Sequence, residues 1–272
     1  MNSKTKIFII YAAICLLGLM ACAHSDVTPT GADPKGVPAA NGIQFDFSGS
    51  ASLAVISPVE KDVLTLKNFK VGAGLNRILL VGVQVEEGGK ENIGDMAISS
   101  LTYGDRTLTL IPGSEVQSSS MWRGKEYFLK VSLYYLLNPP SGKHNITVTF
   151  AGPVTSSNVG GVSLFNTKQA PPANLVVSKQ KNKKKIITQI TTKNAGAWVV
   201  DFVGGGHKSK LRTRGKGHQR RFNAQETTGG KSSLVGGTLS VPSAGEVTLT
   251  WAQSRRTVNR LAHIAVEIAP HK

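Results

Sequence analysis

The chain is poor in cysteine: Cys15 and Cys22 are the only two in 272 residues, and both lie near its start. A disulfide framework and a cysteine-ligated zinc site therefore have no residues to draw on in the rest of the chain. Residues 171–272 hold only four acidic side chains, Asp201, Glu226, Glu246 and Glu267, and nothing in their spacing marks a carboxylate pair for glycoside hydrolysis. No G-x-S-x-G supplies a nucleophile elbow, and the six histidines form no H-E-x-x-H. Gly230-Lys231-Ser232 ends like a phosphate-binding loop, but Gln225 stands where that motif needs its first glycine. No window carries the 3.6-residue apolar stripe and caps of a helix. With these signatures missing, no catalytic residue, metal ligand or cofactor is expected, and the chain is read as a non-enzyme.

What is present begins at the N-terminus. Lys4 and Lys6 precede an apolar run, Ile7 to Met20, of 14 residues, short of the about 20 that a spanning helix needs. A cationic start, a short apolar stretch and small residues before a cut predict an export signal over residues 1–21. Leu19-Met20-Ala21-Cys22 resembles a bacterial lipobox, which implies acylation of Cys22 as the new N-terminus. Several acyl chains, at about 0.8 kcal/mol per buried methylene, would make that anchor effectively permanent. Ala23 beside Cys22 resembles lipoproteins passed on to an outer membrane, so an exported, lipid-anchored protein facing the periplasm or the cell surface is expected. Residues 22–42 carry Pro29, Pro34 and Pro38 among Gly, Ala, Thr and Asp, with almost no large apolar side chain. That composition predicts a flexible tether.

Beyond residue 42 the dominant period is two. Alternating or apolar runs rich in Val, Ile and Thr include Val63–Phe69, Arg77–Val85, Leu129–Leu137, Asn145–Phe150, Val159–Phe165, Ile186–Thr192, Ala197–Val203, Leu234–Val241, Val247–Trp251 and Leu261–Ile268, with Gly, Ser, Asn and Pro between them. An all-β fold of two packed antiparallel sheets follows. Pro171-Pro172-Ala173-Asn174 would suit a boundary, but each half alone would have a thin core and exposed sheet edges, so one β-sandwich over residues 43–272 is expected. Gly74-Leu75-Asn76-Arg77-Ile78-Leu79-Leu80-Val81-Gly82-Val83, Leu101-Thr102-Tyr103-Gly104, Tyr134-Tyr135-Leu136-Leu137-Asn138-Pro139-Pro140-Ser141-Gly142, Trp198-Val199-Val200-Asp201 and Val247-Thr248-Leu249-Thr250-Trp251 together resemble a jelly-roll-like β-sandwich module of bacterial secreted and cell-surface proteins. The resemblance covers about residues 45–268 and implies a fold, with no catalytic residue attached to it.

Charge is unevenly placed. Residues 22–170 hold 12 basic and 12 acidic side chains, whereas residues 171–272 hold 18 basic and 4 acidic. A one-sided field of this size favours polyanionic partners. Its densest part is His207–Arg221, in which Lys208, Lys210, Arg212, Arg214 and Lys216 recur at every second residue, followed by Arg220 and Arg221. In an extended strand these would project from one side about 6.6–6.8 Å apart, near the phosphate spacing along a nucleic-acid strand. His207 and His218 flank this segment and read as extra titratable charge. Lys179, Lys181, Lys183, Lys184 and Lys185 form a second basic cluster, and Arg255, Arg256 and Arg260 a third. Trp122 and Phe222 are candidate stacking residues near these charges, while Trp198 and Trp251 fall in strand patterns and are expected in the core.

The expected function is a membrane-anchored, non-enzymatic module that binds an acidic glycan, lipid phosphates or nucleic acid through its basic loops. A surface lipoprotein that contacts another protein is the alternative from a different class. A polysaccharide lyase, using Arg and Lys to neutralise uronates and Tyr or His as base, is a third.

Overall fold

The computed structural model describes residues 42–54, 62–88, 97–152, 154, 156–206, 210–227, 232–253 and 258–272. The predicted signal, Cys22 and nearly all of the predicted tether lie outside them, as do Lys208, Arg255, Arg256 and the side chain of Trp122.

Seventeen strands and no helix occupy the described residues. Those before the Pro171-Pro172 link are β1 (Gln44–Ala54), β2 (Val63–Val71), β3 (Ile78–Gly88), β4 (Ile98–Tyr103), β5 (Arg106–Thr107), β6 (Thr109–Trp122), β7 (Lys125–Leu137), β8 (Gly142–Phe150) and β9 (Ser156–Phe165). After it come β10 (Leu175–Lys183), β11 (Lys185–Thr192), β12 (Ala197–Gly206), β13 (Arg212–Thr213), β14 (Gln219–Gln225), β15 (Ser233–Val241), β16 (Gly245–Ala252) and β17 (Val258–Ile268). The all-β expectation holds.

The β-sandwich expectation holds as well, with more than two sheets stacked. The strands form four antiparallel sheets, and the two sides of the link repeat one topology. Sheet A runs β1-β9-β3-β7-β6 and sheet D runs β10-β17-β12-β15-β14; sheet B runs β2-β8-β4-β5 and sheet E runs β11-β16-β13. With the two-residue β5 set aside, every strand before the link has a counterpart after it, in the same sheet position. In each half the first strand lies beside the last and the second beside the next-to-last, the wrapping of a jelly roll.

Three layers of apolar side chains stack the sheets in the order B, A, D, E. Leu64, Leu66, Leu101, Ile146 and Val148 of B meet Leu79, Val81, Val83 and Val159 of A. On its other face A presents Ile78, Leu80, Leu129, Val131 and Val162 to Val200, Phe202, Phe222, Leu234 and Ile264 of D. D then meets E through Val203, Val235, Leu261, Ile186 and Trp251, and through Val199, Ala265, Ile190 and Leu249. Sheet A is covered on both sides, which is why Ile78-Leu79-Leu80-Val81 is apolar without alternation. Sheet E has one open face, and β11 alternates strictly between exposed and buried residues.

The central A–D layer depends on glycine. A side chain at Gly82 would run into Phe202, and one at Gly160 or Gly236 would run into Phe222. The Phe222 ring therefore lies in a slot between β9 of one half and β15 of the other, 5.7 Å from the Phe202 ring. Phe222 is thus a core residue, not the stacking residue expected from its basic neighbours. At the loop end of the same layer, buried Arg260 donates to Glu86 Oε1 at 2.6 Å and to Ser120 Oγ at 2.7 Å, tying β17 to β3 and β6. Burial pushes the Glu86 carboxyl up to about 7, with the Arg260 charge pulling the other way. Arg260 accordingly leaves the third basic cluster: it is an internal ion pair between the two halves.

Candidate functional site

Lys183, Lys184, Lys185, Lys210, Arg212, Arg214 and Lys216 gather on the open face of sheet E and the turns at one end of it. In β16, Val247, Leu249 and Trp251 point inward, so Glu246, Thr248, Thr250 and Ala252 face outward. Ala252 pairs with Lys185 on one side and with Arg212 on the other. The next row outward-facing along the sheet holds Ile187 opposite Thr250, whose carbonyl accepts the backbone N–H of Arg214 at 2.8 Å. Gln189 beside Thr248 and Thr191 beside Glu246 complete the face. Neighbouring strands stand about 4.8 Å apart and alternate residues about 6.7 Å apart, so Lys185 and Arg212 are roughly 10 Å from each other and Arg212 and Arg214 roughly 7 Å.

The every-second-residue pattern survives only in part. Lys210, Arg212 and Arg214 are exposed while Leu211 is buried beneath sheet E, but the strand itself is Arg212–Thr213. Gly215 (φ 146°) and Gly217 (φ 77°) then turn the chain, placing Lys216 in a turn instead of a continuing strand. Arg220 is exposed, and its guanidinium donates to the Leu211 carbonyl at 3.2 Å. Arg221 is drawn away from the face: its guanidinium lies 3.9 Å from the Phe45 ring centroid and 6.0 Å from that of Trp198, and its Nε donates to Thr238 at 2.8 Å.

The second basic cluster meets this face at one end. Lys183 pairs with Val258, and the backbone N–H of Gln253 donates to the Lys184 carbonyl at 2.8 Å. Gln253 and Val258 are the described residues on either side of Arg255 and Arg256. Lys181 turns toward sheet A, where its ammonium reaches Ser119 Oγ at 3.4 Å. Among the described residues, none of Lys183, Lys184, Lys185, Lys210, Arg212, Arg214 or Lys216 makes a salt bridge.

Sheet B holds the corresponding place in the first half; it carries exposed cations of its own, with Lys70 paired to Lys143 and Arg106 on β5, but two of its described rows are uncharged. Val63, Thr149 and Ser100 form one row, and Thr65, Thr147, Thr102 and Thr107 form the next.

A second polar constellation lies inside, between sheets D and E, and was not anticipated. The buried Asp201 carboxylate accepts from Trp251 Nε1 at 2.5 Å, His263 Nε2 at 2.9 Å and His218 Nε2 at 3.0 Å. Because an ionised carboxylate only accepts, each imidazole presents an Nε2–H to it. In the neutral tautomer His263 Nδ1 then accepts from Thr188 Oγ1 at 2.7 Å, and Thr188 accepts from Ser178 Oγ at 2.6 Å. Burial by itself would raise the Asp201 carboxyl, but the attraction of His218 and the hydrogen bonds from both imidazoles hold it below the ordinary carboxylate range. Gly237 makes the room: a Cβ there would fall 2.7 Å from Asp201 Oδ1 and from His218 Nε2. His218 is thus a buried partner of Asp201, not a surface charge flanking the basic segment. An acid inside the apolar run Trp198-Val199-Val200-Asp201-Phe202-Val203 is the signal that could have revealed it. The carboxylate–imidazole–hydroxyl order resembles a catalytic relay, yet Asp201, His263 and Thr188 are all buried among core side chains, so the network stabilises the D–E layer.

A cleft of about 160 Å³ opens beside the link, lined by Pro171, Pro172, Asn174, Lys168, Lys193 and Glu267 among others. Its carboxylate is occupied: Glu267 accepts from the side chains of Asn174 and Asn194 and the backbone N–H groups of Lys193 and Asn194. No Tyr, His or Arg lines this cleft, so it does not assemble the groups a lyase would use.

No family model matches the chain, and no curated protein matches it. Among solved structures, that of melon necrotic spot virus is 11% identical and covers 85% of this chain and 97% of its own, at a TM-score of 0.22. A mutant of oxalate decarboxylase from Bacillus subtilis is 10% identical and covers 87% of this chain and 79% of its own, at a TM-score of 0.16. Neither likeness bears on the fold or the function.

Proposed function

We propose that this protein is a membrane-anchored, non-enzymatic binding module that contacts polyanions through the basic face and turns of sheet E. One observation carries the proposal. Two halves of one topology differ in charge, and the excess belongs to the half whose outer sheet displays Lys185, Arg212 and Arg214 without salt-bridge partners among the described residues. Stability cannot account for exposed like charges, which repel one another. A ligand of opposite charge accounts for them. The lipid anchor at Cys22 rests on the N-terminal motif and would present the module at a membrane.

The test is a variant with Lys183, Lys185, Lys210, Arg212 and Arg214 all changed to Gln, compared with wild type on heparin, double-stranded DNA and anionic vesicles across a salt series. The side chains are exposed, so unfolding should be unaffected. At about 0.7–0.9 counterions per phosphate contacted, five lost contacts would flatten the slope of log affinity against log salt by about three to five on DNA, and less on a sparser polyanion. Equal retention of variant and wild type on all three would refute the proposal.

A further inference from the structure

We infer that the polyanion is an acidic polysaccharide, lying across the strands of sheet E with its charged groups on Lys185, Arg212 and Arg214 and its hydroxyls on Thr248, Thr250 and Gln189. The inference rests on the polyanion proposal and narrows it to one ligand class. Its basis is what stands between the cations.

A phosphate backbone asks for cations, and a single strand also for aromatic platforms. The outward residues of β11, β16 and β13 include no aromatic side chain, since Trp251 points inward to Asp201. They offer instead short hydroxyl and amide groups interleaved with charge: Thr250 lies between Ile187 and Arg214, and Thr248 next to Gln189. Such groups match a chain whose every ring carries hydroxyls and only some rings carry an acid. Lys185 and Arg212 flank Ala252 roughly 10 Å apart, two strand spacings, about the length of one disaccharide repeat.

Two further residues fit the same ligand and suit a nucleic acid poorly. Ile187, on the edge strand β11, is 42% exposed on this face, an apolar surface of the size of a pyranose C–H face. Glu246 shares the face, its carboxylate accepting from Gln189 Nε2 at 3.0 Å. A continuous run of phosphates would be repelled there, whereas a carboxylate is a good acceptor for sugar hydroxyls. The Gln189 amide, oriented by Glu246, turns its carbonyl free to accept as well.

The discriminating variant keeps every charge. Thr248→Val with Thr250→Val preserves shape and β-propensity and removes only two hydroxyls. A neutral hydrogen bond is worth about 1 kcal/mol, or roughly fivefold in affinity. The double variant should therefore bind polygalacturonate and heparin on the order of twentyfold more weakly, with an unchanged salt slope and an unchanged melting temperature. Affinity for double-stranded DNA and for phosphatidylglycerol vesicles, measured alongside, should be lower than for the glycans and indifferent to the double variant. If DNA or vesicles bind as tightly as the glycans and the hydroxyls make no difference to any of them, the glycan assignment is overturned while polyanion binding stands. If wild type retains none of the four probes, both fall.

Discussion

Removing one carboxylate from the D–E layer should cost more stability than removing any surface cation. In Asp201→Val, the side chain becomes the one found at Val81, the residue at the matching position of β3 in the first half. The substitution leaves three buried donors, Trp251 Nε1, His218 Nε2 and His263 Nε2, without their acceptor. Deleting one member of a buried, hydrogen-bonded charge network costs about 3–5 kcal/mol, because the partners are not rehydrated. For a domain of this size that corresponds to a fall of about 6–20 °C in melting temperature. Asp201→Asn, which keeps one acceptor oxygen but turns an amide toward the other donors, should lose about 2 kcal/mol. The pH dependence gives an independent check. The folded-state carboxyl of Asp201 is held below its unfolded value of 3.8, so its stabilisation is present above that pH and lost as the pH falls toward the folded value. The gap between wild type and Asp201→Val should accordingly be widest at neutral pH and close below about pH 4. Urea denaturation followed by Trp251 fluorescence measures both. A loss under about 1 kcal/mol at neutral pH, or a gap that widens in acid, would refute the idea that this network holds sheet E to sheet D.

The central layer makes a second prediction: Gly160→Ala should destabilise by about 1–3 kcal/mol through overpacking, since the Phe222 ring fills the space and is itself held against Gly236. Thermal unfolding reads this directly, and a neutral result would mean that β9 and β15 can part without cost. At the N-terminus, Cys22→Ser should shift the protein out of the lipid-anchored membrane fraction. A mature wild-type N-terminus found by mass spectrometry at any other residue, without acyl chains, would overturn the lipobox assignment.

The strands were legible in the sequence wherever one face meets water. β11 reads as a strand because Lys185, Ile187, Gln189 and Thr191 alternate with buried Ile186, Thr188, Ile190 and Thr192. The repeated topology was not legible, because a repeat of topology need not repeat residues. Ile78-Leu79-Leu80-Val81-Gly82-Val83 and Trp198-Val199-Val200-Asp201-Phe202-Val203 occupy matching strands and share little beyond apolar character. The basic segments depart from the sequence expectation for a related reason. Arg260 and Phe222 stand beside charged residues in the chain, but their environments are set by distant partners. Glu86, which pairs with Arg260, is 174 residues away in sequence. His218 was lost in the same way: only the β12–β15 pairing and the gap at Gly237 bring Asp201 within its reach.

The layering also bears on where the charge sits. The A–D layer is shared by both halves and closed by Phe202 and Phe222 against glycines, so a charge introduced there would be buried without a partner, and the buried cation Arg260 has its carboxylate. The outer faces of sheets B and E carry no such constraint, because no further sheet of the described residues packs against either. Sheet B presents rows of Thr and Ser there, and sheet E displays Lys185, Arg212 and Arg214 on and beside rows of Thr. Those cations hold their spacing only if β11, β16 and β13 hold their register. Trp251 immediately precedes Ala252, the residue that Lys185 and Arg212 flank, and its indole is fixed to Asp201 from below. Thr188 on β11 is fixed to the same carboxylate through His263. The buried polar network thus lies directly beneath the row of Lys185 and Arg212, and the simplest physical relation between them is that the buried carboxylate sets the strand positions from which the surface cations act.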